Sequence, residues 1–159
     1  MRTKTLQTTW AEWLKASDAL LLTLHEQTVA VTLRDVERVE RIRPELEAQL
    51  ANVRTIDAKA MDEAKRLAEE LGAPTPSLRG LVAVLEKDEA AIIQATANKV
   101  LVGAQRIQDV MSKNRKLIES EMTYINGTLT LIARAATEGS GPYRGRPSGS
   151  KSILVDAAA

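Results

Sequence analysis

The side chains that could act as acids, bases or metal ligands are few in this chain. His25 is the only histidine, and the adjacent Glu26 would point to a different part of a helix. Because there is neither a second imidazole nor any cysteine, the sequence predicts no metal site and no nucleophilic site. We expect His25 to lie on the surface or at the boundary of the core.

Paired carboxylates also occur, but their spacing does not favour acid–base catalysis. The pairs are Asp62 with Glu63, Glu69 with Glu70, and Glu37 with Glu40. Consecutive residues do not stack on one helix face, and arginines surround the third pair. We interpret these charges as a solvated, ion-paired surface. With no glycine-rich phosphate loop before a helix, we predict no enzyme activity and no cofactor.

The charge balance disfavours a nucleic-acid partner. The chain has 22 basic and 21 acidic residues and only 3% aromatic side chains. Arg144, Arg146 and Lys151 near the C-terminal end give only a weak basic signal, because they lack aromatic partners on which nucleic-acid bases could stack. An adaptor that binds RNA or DNA through these residues is therefore a less favoured alternative.

No membrane insertion is predicted from the sequence. No apolar run approaches the roughly 20 residues of a membrane span. The residues Met1–Leu6 begin with basic character and lack the apolar region of a secretory signal. We expect a cytoplasmic protein.

Apolar side chains recur at steps of three and four over most of the chain, which predicts an all-α fold. A first helix is expected from about Thr5 to Val31, with Trp10 and Trp13 on its apolar face, and a second from about Asp35 to Leu71. Pro44 predicts a kink or break, with Asp35 to Arg41 as a short helical lead-in. Gly72 is expected to end the second helix.

A short connecting helix is predicted from Leu78 to about Glu86, with Ser77 as its N-cap. Asp88 is expected to cap a long last helix that ends near Ala136. From Gly139 the chain is rich in glycine, proline and serine, which predicts a disordered tail. The predicted organisation is a helical domain, residues 1–138, followed by a flexible tail, residues 139–159.

The last helix carries a heptad-like apolar seam. Its members are Ile93, Ala97, Val100, Ala104, Ile107, Met111, Asn114 and Ile118, followed after one extra step of four by Met122, Ile125, Leu129 and Ile132. This pattern predicts an elongated, antiparallel bundle with coiled-coil packing and a stutter near Ile118. If the other helices do not reach its end, residues 117–132 remain exposed and require either a partner helix or a second copy of the chain.

The C-terminal part of the sequence resembles the FlgN family of flagellar export chaperones. The resemblance rests on the stretch Asn114-Arg-Lys-Leu-Ile-Glu119 and on Tyr124-Ile-Asn-Gly-Thr-Leu-Thr-Leu-Ile132. It extends to a tail tyrosine in Pro142-Tyr143-Arg144-Gly145 and to the aliphatic patch Ile153-Leu154-Val155. The order of helices is similar as well. Arg144 separates Tyr143 from Gly145, and Gly127 stands where the family more often has a larger residue.

The resemblance implies a chaperone without cofactors that binds the C-terminal helical region of unassembled hook-associated proteins, the proteins of the hook–filament junction. It assigns client binding to one helix face: Asn114, Leu117, Ile118, Met122, Ile125, Leu129 and Ile132. It assigns Tyr143 to contact with the cytoplasmic domain of the flagellar export-gate membrane protein. The alternative is a self-associating structural coiled coil or adaptor, in which the same face forms a homodimer.

Overall fold

The structure, a computed structural model, describes residues 1–138, and these residues form four helices. They are α1 (Lys4–Thr32), α2 (Val36–Leu71), α3 (Leu78–Val84) and α4 (Lys87–Glu138). No strand occurs between residues 1 and 138. The predicted all-α fold with three long helices and one short connecting helix is therefore confirmed. The predicted tail, with Tyr143 and the patch Ile153-Leu154-Val155, lies outside the described residues.

The chain divides into two compact units, and each is considered by itself. Unit 1 comprises Met1–Asn114 and contains α1, α2, α3 and the first part of α4. Unit 2 comprises Arg115–Ala159, of which the structure describes residues 115–138, the second part of α4. The predicted boundary between a helical domain and a tail at residue 139 stays a prediction.

Local signals end and begin the helices at the loop between α2 and α3. Gly72 has a φ of 65°, and its N–H reaches the carbonyls of the last turn of α2, which confirms the predicted cap. The Ser77 side chain accepts a hydrogen bond from the Gly80 N–H, as predicted for an N-cap. Asp88 is not a cap, because α4 begins one residue earlier and Asp88 lies in its first turn. A carboxylate in the first turn still stabilises the helix, because it interacts favourably with the positive end of the helix dipole.

Pro44 does not end α2. The helix is continuous from Val36 to Leu71, so the predicted break and the separate lead-in helix are wrong. Proline removes one helix hydrogen bond and costs about 3 kcal/mol in a helix interior. Packing on both sides of it offsets this cost, since Ile42 is buried and Leu46 packs against the core.

The core of unit 1 consists of two apolar clusters. The first joins all four helices at the end where α1 and α4 begin, and its buried members are Leu6, Ala60, Leu67, Ala68, Leu81 and Ile93. The second joins α1, α2 and α4, and its buried members are Trp13, Leu20, Leu24, Val53 and Ile107. Trp13 is thus a core residue, while Trp10 is half-buried against the first cluster. Both tryptophans pack within unit 1, in agreement with their predicted place on the apolar face of the first helix.

Contacts between α1 and α4 show that these two helices run parallel within unit 1. The Thr3 hydroxyl donates to Glu89 Oε1 at 3.0 Å near the start of both helices. Near the other end, Thr28 contacts Asn114. Equal numbers of residues separate Thr3 from Thr28 and Glu89 from Asn114. The chain therefore runs up, down and up through α1, α2 and α4, so that consecutive long helices are antiparallel.

Gly103 allows α1 and α4 to approach closely. A Cβ atom added there would lie 3.0 Å from Cζ3 of the Trp13 ring, which is tighter than ordinary van der Waals contact. The glycine thus accommodates the large indole at the helix interface. Ser17, one turn further along α1, is buried as well and donates its hydroxyl to the Leu14 carbonyl.

Gly80→Ala is expected to lower the free energy of unfolding by about 1–3 kcal/mol. A Cβ at this position would overlap the carbonyl and hydroxyl oxygens of Thr75, and the Thr75 hydroxyl in turn contacts the capping Ser77. Urea titration measures the change. Gly127→Ala is the matched control, because nothing lies within 4 Å of its added methyl group and α4 should gain about 0.5–1 kcal/mol. Equal stability of Gly80→Ala and the unaltered chain would contradict this packing.

Candidate partner-binding surface

The isoleucines of the α4 seam differ greatly in burial. Ile93 and Ile107 in unit 1 are 0% and 9% exposed. Ile118, Ile125 and Ile132 in unit 2 are 37%, 46% and 57% exposed. The apolar pattern therefore continues along α4 beyond the part whose side chains form the core.

The predicted client-binding residues of unit 2 lie together on one side of α4. We define the C-terminal apolar face by these six residues: Leu117, Ile118, Met122, Ile125, Leu129 and Ile132. At 100° per residue, the five from Ile118 onward fall within a strip about 80° wide, and Leu117 lies about 60° outside that strip. Met122 is also exposed, whereas Leu117 and Leu129 are half-buried. The arrangement offers side chains at the i, i+4 and i+7 positions that a partner helix contacts.

Tyr124 and Leu131 widen this surface and were not predicted as part of it. They are exposed by 56% and 66%, respectively, and lie seven residues apart. With Leu117 they form a second row, at steps of seven, directly beside the row of Ile118, Ile125 and Ile132. That spacing was visible in the sequence, because each member of the second row immediately precedes a member of the first.

Asn114 has a different environment from the six residues of the C-terminal apolar face. It belongs to unit 1, and its side chain is 2% exposed. Its Nδ2 donates to the Leu24 carbonyl and to Gln27 Oε1, both at 2.9 Å, and its Oδ1 lies against the Thr28 hydroxyl. The amide is thus already hydrogen-bonded to α1, and we leave Asn114 out of the surface proposed below.

The hydrogen bonds of Asn114 fix the register of α4 against α1. A buried polar side chain at a seam position satisfies its hydrogen bonds in only one alignment of the helices, whereas aliphatic residues tolerate several. Thr28, which interrupts the apolar pattern of α1, is one of its partners. The hydroxyl of Thr28 has one hydrogen, so it donates either to Asn114 Oδ1 or to the Leu24 carbonyl.

Asn114→Ala is expected to lower the free energy of unfolding by about 1–3 kcal/mol, because a buried group and its hydrogen bonds are lost. The change in the free energy of unfolding is measured from thermal or urea denaturation monitored by circular dichroism. Asn98→Ala is the matched control: Asn98 is an exposed asparagine of the same helix, and its replacement should change stability by less than about 0.5 kcal/mol. A smaller loss for Asn114→Ala than for the control would show that the network does not stabilise unit 1.

The remaining features of residues 1–138 offer little for catalysis. No group of three or more histidine, aspartate or glutamate side chains is placed to hold a metal ion in this part of the chain. His25 is exposed, as predicted. An open groove of about 390 Å³ lies between α1 and α4 over Gly103 and is bordered by Asp18, Lys99 and Arg106. It has no buried acid or base directed into it.

A comparison with protein families decides the classification. The family model described as FlgN protein matches residues 1–147, which is most of the chain. The chain belongs to the FlgN family. The match includes all four helices and continues past the end of α4. No curated protein and no solved structure matches the chain.

FlgN proteins are chaperones of flagellar export, and membership gives the chain this role. The family is not enzymatic, and its members bind flagellar substrates. Among the described helices of this FlgN chain, none is long and apolar enough to cross a membrane.

Proposed function

We propose that this FlgN protein binds the C-terminal helical region of unassembled hook-associated proteins of the hook–filament junction through the C-terminal apolar face. Bound in this way, the client cannot polymerise prematurely, and the chaperone delivers it to the flagellar type III export gate. The proposed location of these events is the cytoplasm. The observation that supports the proposal is the exposed row Ile118, Ile125 and Ile132 on a helix whose seam isoleucines in unit 1 are buried.

The dimensions of the face suit a helical client. Residues 117–132 extend over about 23 Å of helix, which is roughly four turns. An amphipathic client helix of similar length would place its own i, i+3, i+4 and i+7 side chains along the two rows. Unassembled polymer subunits expose the apolar helices that later pack in the assembly. Such a helix would associate prematurely unless its apolar surface were bound by a chaperone.

Delivery to the export gate is assigned to Tyr143. This residue lies outside the described part of the chain, and its role rests on the resemblance of the tail to the family pattern. Tyr143→Ala should therefore abolish binding of the client complex to the cytoplasmic domain of the export-gate protein and leave client binding unchanged. Pull-down with that purified domain tests the separation of the two roles.

Calorimetric titration of the full chain with C-terminal fragments of the hook-associated proteins tests client binding. We expect one fragment to bind each chain, with a negative heat-capacity change from the burial of apolar surface. Absence of binding for every hook-associated fragment would overturn the client assignment.

Self-association is the second candidate, and the same exposed rows favour it. A helical pair that buried the C-terminal apolar face of two copies would satisfy the apolar side chains without a client. Sedimentation analysis separates the two possibilities: a dimer that Ile125→Asp dissociates, together with no affinity for client fragments, would favour the structural coiled coil.

A further inference from the structure

A second apolar element follows the C-terminal apolar face in the sequence. Ile153-Leu154-Val155 begins 21 positions after Ile132, the last residue of that face. We propose that Ile153-Leu154-Val155 occupies the C-terminal apolar face when no client is bound. This proposal deepens the proposed function, and only its consequence for client affinity rests on that function.

The length of the intervening chain suits this contact. Ile125, near the centre of the face, lies 13 residues before Glu138, the last residue of α4, which corresponds to about 20 Å of helix. Fourteen residues, 139–152, lie between Glu138 and Ile153, and a linker of that length with glycine- and serine-rich composition has an r.m.s. end-to-end distance of about 20 Å. The effective concentration of a tethered group is highest when these two lengths agree.

The chemistry of the two elements also matches. The face is aliphatic, and the segment presents isoleucine, leucine and valine in succession. Exposed aliphatic groups on both sides lose contact with water when they meet. Three residues cover only part of a face four turns long, so a client helix that contacts the whole length would displace them.

Occupation by the tail lowers the apparent affinity for the client. If the face is free one-third of the time, client binding is weakened about threefold, because only the free fraction is competent to bind. The exposed aliphatic surface is correspondingly protected from unrelated partners. The tail therefore competes with the client for the C-terminal apolar face, and the client displaces it.

The absence of cysteine from the chain permits a direct test by thiol labelling. Thr128 lies between the two apolar rows, and Thr130 lies on the other side of α4; the hydroxyl of each donates to a carbonyl of its own helix. Thr128→Cys therefore reports on the face, and Thr130→Cys is its matched control. Each is alkylated with iodoacetamide in the full chain and in a tail variant with Ile153→Ser, Leu154→Ser and Val155→Ser.

We expect the tail variant to accelerate alkylation at position 128 about threefold and to leave position 130 unchanged. The acceleration should not depend on protein concentration, because the contact is within one chain. Equal rates at position 128 with and without the three serines would overturn the proposal. Protection that appears only on concentrating the protein would also overturn it, since the occupant would then be a second copy.

The labelling involves no client, so its outcome is independent of the proposed function. A titration of the tail variant with a client fragment completes the test, with an expected affinity about threefold higher than that of the unaltered chain. Protection at position 128 without client binding in either chain would refute the proposed function and retain the contact of the tail with the face.

Discussion

Ile118→Asp combined with Ile125→Asp is expected to weaken client binding at least about 100-fold, which corresponds to roughly 3 kcal/mol. Both isoleucines are exposed on α4, so the substitutions place carboxylates where a client helix would exclude water. A carboxylate buried without a partner is costly because it loses its hydration. Fluorescence anisotropy of a labelled client fragment measures the loss.

Thr123→Asp combined with Thr130→Asp is the matched control for this prediction. Both threonines are exposed on the side of α4 opposite the C-terminal apolar face, and each donates its hydroxyl to the carbonyl four residues earlier. The control adds the same two charges to the same segment of helix. Its affinity for the client should stay within about threefold of the unaltered chain, because exposed charges interact weakly. An equal loss in both double variants would mean that net charge, and not the face, determines binding.

Leu20→Ala is expected to lower the free energy of unfolding by about 2–5 kcal/mol. Leu20 is fully buried in the cluster that joins α1, α2 and α4. Truncation removes three side-chain carbon atoms and leaves a cavity that helices held in register by Asn114 and Gly103 cannot easily close. For a unit of this size, the midpoint of thermal unfolding should fall by roughly 10–20 °C. Circular dichroism at 222 nm follows the transition.

Leu22→Ala applies the same chemical change two residues along the helix and serves as the control. Its side chain is 73% exposed, so stability should change by less than about 0.5 kcal/mol. If both substitutions had similar effects, Leu20 could not be part of a packed interface.

The sequence predicted the helices well because their signals are local. Gly72 and Ser77 act where their residue types indicate, and the three- and four-residue spacing identifies which side of each helix is apolar. A kink at Pro44 stays a prediction, but the predicted break is wrong because packing by Ile42 and Leu46 on either side of the proline is a tertiary effect. Intrinsic preference for a helix break was outweighed by contacts that no local pattern contains.

The surface was harder to predict than the fold. Ile93 and Ile125 occupy equivalent places in the apolar seam, yet one is fully buried and the other is exposed. Periodicity identifies the apolar side of a helix, but it does not indicate whether that side packs within the same chain or against another one. Asn114 illustrates the same limit: its place in the seam indicates burial, but its partners Leu24, Gln27 and Thr28 lie far away in the sequence.

Two residues of α4 carry a sequence signal that the single predicted seam does not contain. Tyr124 and Leu131 repeat at the heptad spacing beside the predicted face and broaden it. Their addition makes the exposed surface wide enough for a client helix to rest between two rows of side chains. Two parallel rows at steps of seven, and not a single seam, describe the apolar pattern of this segment.

Hydrogen–deuterium exchange of the full chain, with and without a saturating C-terminal fragment of a hook-associated protein, tests the central claim most directly. The account predicts that the fragment slows exchange in residues 117–132 and leaves the buried core of unit 1 unchanged. Slower exchange confined to α1 and α2, with residues 117–132 unaffected, would contradict it and place the client on another surface.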